Sequence, residues 1–235
     1  MRIDKYLSNL KYGSRTEIKK LIKDKKVIVN NEVIKNNDFK IDLKNDSVLI
    51  DGKVIPYFEE LNLVLNKPSG YLSANKDNLH KTVIDLIDEP FNRYDLKISG
   101  RLDLDTEGLL VLTTSGEFAH EITSPNSNIL KTYEVLLDKD CNDFTELEKG
   151  VIIKDGKGNE YLAKAIAISR LGFCKIKIVI DEGKFHQVKR MFEKIGYIVI
   201  GLKRVKIGNL ELGDLKIGEY RIFKREELLW QIYYC

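Results

Sequence analysis

Cysteine and histidine are scarce. The three cysteines, Cys141, Cys174 and Cys235, are far apart, odd in number and without metal-like spacing, so neither a disulfide framework nor a thiolate metal centre is expected. The three histidines, His80, His120 and His186, are just as scattered. No apolar run approaches the length of a membrane span, and "MRIDKYLSNL" carries charges where a signal peptide would be apolar. The expectation is a cytoplasmic protein that keeps clear of membranes. Internal repeats, low-complexity tracts and long Gly/Ser linkers are missing too.

What is present is charge, unevenly placed. Residues 1–40 hold 11 Lys or Arg against 5 Asp or Glu, a balance of +6, so the rest carries −3 of the net +3. A basic front on a near-neutral body points to a polyanion, most often nucleic acid. The 235 residues, 43% of them hydrophobic, suit a small domain followed by a larger one.

Ile3, Tyr6, Leu7 and Leu10 recur at helical spacing until Gly13 stops them. "SRTE", Ser14 to Glu17, is a capping-box pattern that opens a second helix with Ile18, Leu21 and Ile22 on one face. Lys19, Lys20 and Lys23 crowd that helix, with Lys25 and Lys26 at its end. The lysines suit either a solvated face or phosphate contacts, and their one-sided excess favours phosphates. "VIVNNEVI" then reads as strand, Asn-rich turn and strand. These elements make a module over residues 1–57. Residues 58–235 read as a second domain with strands at "LNLVLN", "LLVLTT", "KTYEVLL", "YLAKAIAI", "CKIKIVI", "YIVIGLKRVKI" and "YRIF". Helical patterns at "TVIDLID", "GEFAHEIT", "DFTELEKG", "KFHQVKRMFEKIG" and "REELLWQI" fall between them, so the fold class is α+β, mixed and largely antiparallel.

Within this frame "GRLDLDTEGLL", Gly100 to Leu110, sets two acids at the mouth of a strand. It lacks the third oxygen position and the closing glutamate of a calcium loop. Alternation puts Leu102 and Leu104 on one face and Asp103 and Asp105 on the other, beside Arg101. An acid in a strand-edge loop near a fixed cation is a candidate nucleophile or base, although a turn whose acids merely face water is the commoner arrangement. "KTYEV" puts Tyr133 in a strand, where its ring can stack on a base or simply fill a core. In "EGKFHQVKRMF" Phe185, Val188, Phe192 and Ile195 form a buried helix face, leaving Lys189 and Arg190 free to reach a carboxylate or phosphate. "NKPSG", Asn66 to Gly70, is a turn that by itself says little.

The first 34 residues resemble the small RNA-binding unit shared by the fourth ribosomal protein of the small subunit and many RNA-modifying enzymes. The ordered set "NKPSG", "GRLDLDTEGLL", "KTYEV", "EGKFHQVKRMF" and "IGLKRVKIG" resembles the ribosomal small-subunit pseudouridine synthases along essentially the whole chain. That resemblance implies an isomerase that turns one uridine of ribosomal RNA into pseudouridine, without cofactor or metal, acting as a monomer. It implies Asp103 as the catalytic carboxylate, Tyr133 stacked on the uracil, and Lys189 as the cation that keeps the acid ionised. Leu202, with Ile200 beside it in the pattern, is implied as the apolar pocket wall. Arg101 is implied as the side chain that fills the stack when the uridine flips out. Arg190, Lys19, Lys20 and Lys23 are further expected RNA contacts. Covalent addition by Asp103 and removal of a ribose proton both fit. Other readings are a large-subunit rRNA synthase, or a non-catalytic ribosome-assembly factor on the same fold. A hydrolase using Asp103 and Asp105 as an acid pair is disfavoured, because two residues so close present their carboxyls on one side.

Overall fold

The computed structural model describes residues 1–124 and 127–229. The chain folds as two compact units. One is Met1–Leu61 with Ile87–Leu96, and the other is Asn62–Leu86 with the described residues from Lys97 onward.

In the first unit α1 (Ile3–Asn9) buries Ile3, Tyr6 and Leu7. Gly13, at φ +145, ends the turn that follows. The capping box forms at α2 (Arg15–Lys23): Glu17 N–H donates to Ser14 Oγ at 3.4 Å, and Ser14 N–H donates to Glu17 Oε2 at 2.7 Å. Ile18 and Ile22 face the core, whereas Lys19, Lys20 and Lys23 are exposed. β1 (Val27–Val29) and β2 (Glu32–Val33) pair through Asn30 and Asn31, both left-handed at φ 50 and 70, as a tight two-residue hairpin requires. The expected hairpin is half of the sheet. β3 (Val48–Ile50) and β4 (Lys53–Ile55) turn through Asp51-Gly52 and complete an antiparallel sheet in the order β2-β1-β3-β4. Residues 87–96 supply Arg93, whose guanidinium lies 4.3 Å from the Tyr12 ring centre, and Tyr94, whose hydroxyl donates to Pro56 O.

The second unit is built on a nine-stranded sheet. β5 (Asn62–Lys67) is buried at all six positions, and β6 (Lys97–Ser99) runs into the loop that precedes β7 (Glu107–Thr113). Continuous apolar runs such as "GLLVL" suit strands covered on both faces. β8 (Lys131–Leu137) follows α3 (Gly116–Thr123). α4 (Thr145–Lys149) leads to a separate two-stranded ribbon, β9 (Val151–Lys154) with β10 (Glu160–Ala163). β11 (Ala167–Gly172), β12 (Lys175–Ile180), α5 (Gln187–Lys194), β13 (Val199–Ile207), β14 (Leu210–Glu211), β15 (Tyr220–Ile222) and α6 (Arg225–Leu229) complete the unit. The main path is β11-β12-β8-β13-β7-β5-β15, antiparallel except for the parallel β13–β7 pair. One apolar cluster joins α3 to this sheet through Phe118, Ile122, Val64, Leu109 and Val111. The fold is therefore α+β, as expected.

Local differences have local causes. "TVIDLID" forms only a short 3-10 turn, Val83–Leu86, whose Thr82 N–H donates to Asp85. "YLAKAIAI" is two strands, because the chain leaves the ribbon at Ala163 and enters the main sheet at Ala167. The last three residues of "REELLWQI" lie outside the described residues.

Candidate active site

The loop from Gly100 to Thr106 is held from beneath by side chains that point inward. Lys67, at the end of β5, is fully buried and its Nζ donates to the carbonyls of Pro68, Asp103, Leu104 and Thr106 at 3.1, 3.0, 3.2 and 2.8 Å. Burial pushes its ammonium down to about 8, against the opposing pull of the Asp105, Asp103 and Glu107 charges. Ser73 Oγ donates to Leu102 O at 2.7 Å and accepts from Leu102 N–H at 3.1 Å. Buried Arg204, on β13, donates through Nη2 to Gly100 O at 2.6 Å and through Nε to Leu109 O at 2.8 Å. At Gly108 a Cβ would stand 2.2 Å from Arg204 O, so only glycine lets β7 and β13 meet there. Thr106 N–H donates to Asp103 O at 3.1 Å, which closes the loop as a tight turn. The alternation expected along "LDLD" is therefore broken: Leu102 is buried and Leu104 exposed.

The acids converge even so. Lys189, from the first turns of α5, places Nζ 2.6 Å from Asp105 Oδ1 and 3.5 Å from Asp103 Oδ2. The Lys189 hydrogen bond holds the Asp105 carboxyl below the usual carboxylate range. On the other side His186 Nε2 lies 3.4 Å from Asp103 Oδ1. Asp103 keeps 28% of its side chain exposed, enough for a ligand to reach.

It opens on a cavity of about 410 Å³, within the range of small-ligand pockets. Arg101, Asp103, Tyr133 and Leu202 line this cavity. Tyr133, on β8, is buried opposite Arg204 in the strand register. Lys131, two residues earlier, also faces the cavity; burial first, then the nearby Arg204, pushes its ammonium down to about 8. Four of the residues singled out by sequence thus share one hollow, and Lys189 reaches its acid from the side. Ile200 is outside it and largely exposed. Arg190 points elsewhere. Its Nη1 donates to Lys154 O and, at 3.1 Å, to Asp155 O, fastening α5 to the β9–β10 ribbon. Lys19, Lys20 and Lys23 are exposed on the first unit. Phe185, expected on the buried face of α5, precedes the helix and is 51% exposed; Val188, Met191 and Phe192 form that face.

Sequence reading passed over Lys67, Ser73, Lys131, His186 and Arg204. Lys67 carried a usable signal, a lysine ending a strand that is buried throughout and apolar at Leu63, Val64 and Leu65. The remainder depend on contacts between distant segments.

Residues 62–194 match the family model described as RNA pseudouridylate synthase, and residues 1–48 match the S4 domain. A Bacillus subtilis (strain 168) protein named as RNA pseudouridine synthase YtzG is 39% identical over 97% of both chains. The ribosomal small subunit pseudouridine synthase A of Escherichia coli (strain K12) is 36% identical over 97% of this chain and 98% of its own. A solved pseudouridylate synthase structure covers 97% of this chain and 98% of its own, with a TM-score of 0.65 at 32% identity. With an S4 domain in front and the synthase fold behind, this chain belongs to the RNA pseudouridine synthase family of isomerases.

Proposed function

We propose that the protein isomerises one uridine of small-subunit ribosomal RNA, with Asp103 as the reacting carboxylate. The observation that carries this is the meeting of Asp103, Tyr133, Leu202 and Arg101 around one cavity, with Lys189 on the acid. The small-subunit target rests on relatives that bear that name at 35–37% identity over nearly the full chain.

The reaction breaks the bond from ribose C1′ to uracil N1 and makes one from C1′ to C5. The C5 proton leaves and N1 gains one, so atoms and electrons balance without a redox partner. Asp103 either adds to the sugar or base, or takes a ribose proton to give a glycal-like intermediate. Tyr133 stacks on the turning base and helps move the C5 proton. Leu202 walls the pocket, and Arg101 fills the stack that the flipped nucleotide leaves. Lys19, Lys20 and Lys23 on the front module anchor the RNA through phosphates. Lys189 offsets the repulsion between the two neighbouring carboxylates.

The test is paired. Asp103→Asn keeps shape but removes basicity and nucleophilicity, so pseudouridine formation falls below detection while RNA affinity holds. Asp105→Asn leaves measurable activity, because its carboxylate only braces the turn. The opposite result assigns the chemistry to Asp105 and overturns this reading. Mapping on both ribosomal RNAs checks the target, and pseudouridine confined to large-subunit RNA removes the small-subunit assignment.

A further inference from the structure

Asp103 has two carboxylate oxygens and a different neighbour for each. Lys189 faces Oδ2, but its short bond goes to Asp105, at 2.6 Å against 3.5 Å. Oδ1 faces His186 Nε2 at 3.4 Å. His186 is the N-cap residue of α5, yet its side chain makes no capping hydrogen bond, so it does not serve the helix. Its backbone is left-handed, at φ 53, an uncommon conformation for a residue with a side chain. The ring stacks on Phe185, with centroids 3.8 Å apart and planes 19° apart. Phe185 lies 5.0 Å from the Arg190 guanidinium, which is itself tied to the ribbon carbonyls. The imidazole is thus fixed in place and lines the cavity beside Asp103.

We propose that His186 is a positioning residue for the reacting carboxylate, a step that rests on the reading of Asp103 given above. A carboxylate only accepts hydrogen bonds, so the tautomer that fits carries its proton on Nε2 and donates to Oδ1. At 3.4 Å this contact is long, and contacts of this kind tighten once substrate closes the site. Its purpose follows from Lys189. With Lys189 alone, Asp103 is drawn into a short ion pair that covers the oxygen needed for attack or proton removal. A donor on Oδ1 holds the carboxylate plane, so that Oδ2 stays 3.5 Å from Lys189 and available to react.

Three substitutions separate this role from a backbone one. His186→Gln keeps a donor at a similar reach, His186→Leu keeps bulk without a donor, and His186→Gly relieves the left-handed backbone but offers nothing to Asp103. Single-turnover rate at saturating RNA, RNA affinity and melting midpoint are measured for each, beside Asp103→Asn. The Leu and Gly variants should lose about 100-fold in rate, the scale of a displaced reacting group, with RNA affinity within about 2-fold of wild type. The Gln variant should recover most of that loss. A wild-type rate for the Leu variant overturns the proposal, and so does a Gly variant that outperforms Gln, which would mean the backbone was the point. If the Leu variant does not fold, the Gln–Gly comparison decides alone. An active Asp103→Asn enzyme removes the underlying assignment as well. An inactive one beside a fast His186→Leu variant removes only the positioning role.

Discussion

Replacing Lys67 with Met keeps an unbranched chain of similar length and removes the charge under the loop from Gly100 to Thr106. Three ammonium protons serve four carbonyls there, of which Thr106 O, at 2.8 Å, is the fully buried one. Losing a charge-assisted partner at a buried acceptor costs about 1.5–3 kcal/mol. The three partly buried carbonyls recover water and cost about 0.5 kcal/mol each. Met escapes the desolvation that pushes Lys67 down to about 8, which offsets part of the sum. The net expectation near pH 7 is a loss of about 2 kcal/mol, read as a lower urea midpoint at unchanged slope. Activity should fall further than stability implies, because the freed backbone carries Asp103.

The same group fixes a pH signature. Its folded value, about 8, lies below the ordinary 10.5, so between these values the unfolded chain holds the proton that the folded chain releases. Wild-type stability therefore rises with pH in that window relative to Lys67→Met, by about 1–2 kcal/mol between pH 8 and 9.5. Urea melts at pH 7, 8 and 9.5 measure the gap. A gap that stays flat or narrows refutes the picture of a desolvated cation pinning the loop.

Gly108→Ala drives a methyl into Arg204 O at a left-handed position and should cost about 3 kcal/mol; a loss under about 1 kcal/mol would mean the β7–β13 approach is looser than described. Changing Lys19, Lys20 and Lys23 together to Ala should lower the logarithmic salt slope of RNA binding by about 2, at about 0.7 per phosphate contact, whereas an unchanged slope returns these lysines to a solvated face. Asp105→Asn should cost less than about 1 kcal/mol near neutrality, since the Asp105–Lys189 pair is largely exposed on the acid side. That contribution is complete above the ordinary carboxylate value of 3.8 and is lost as pH falls through the lowered folded value, so wild-type and variant melts should converge in acid.

Features coded within a few residues were legible. The Ser14–Glu17 box, the Asn30-Asn31 turn and the apolar run ending β7 each state their structure locally. "GRLDLDTEGLL" marks a loop and "KTYEV" a strand, and Asp103 and Tyr133 from these two motifs line one cavity. The Asp51-Gly52 turn gave an equally local signal for β3 and β4, and was passed over in a charged stretch. Other features had no local signature. Residues 87–96 pack with the first unit through Arg93 and Tyr94, although they sit between segments of the second. Arg190 and Lys189 are adjacent and chemically alike, yet α5 points one at the acids and the other at ribbon carbonyls. Periodicity shows only that both leave the buried face; which partner each finds depends on segments some 36 and 84 residues away.

The placement of cations explains how two like charges can share one turn. Asp103 and Asp105 repel, and an isolated loop of this sequence would spread to separate them. Here the backbone is clamped by Lys67 from below while the carboxylates meet Lys189 above, so the acids lie between two ammonium groups. Each cation needs the other to stay put. Without Lys67 the turn opens and Lys189 loses its paired acceptors; without Lys189 the acids' repulsion works against the carbonyl clamp. The two are coupled through the loop rather than by contact. A double-mutant cycle of Lys67→Met with Lys189→Met should therefore give a coupling of about 0.5–1 kcal/mol or more in stability. Additive losses would mean that the turn holds its shape unaided, and that the acids sit together for chemistry alone.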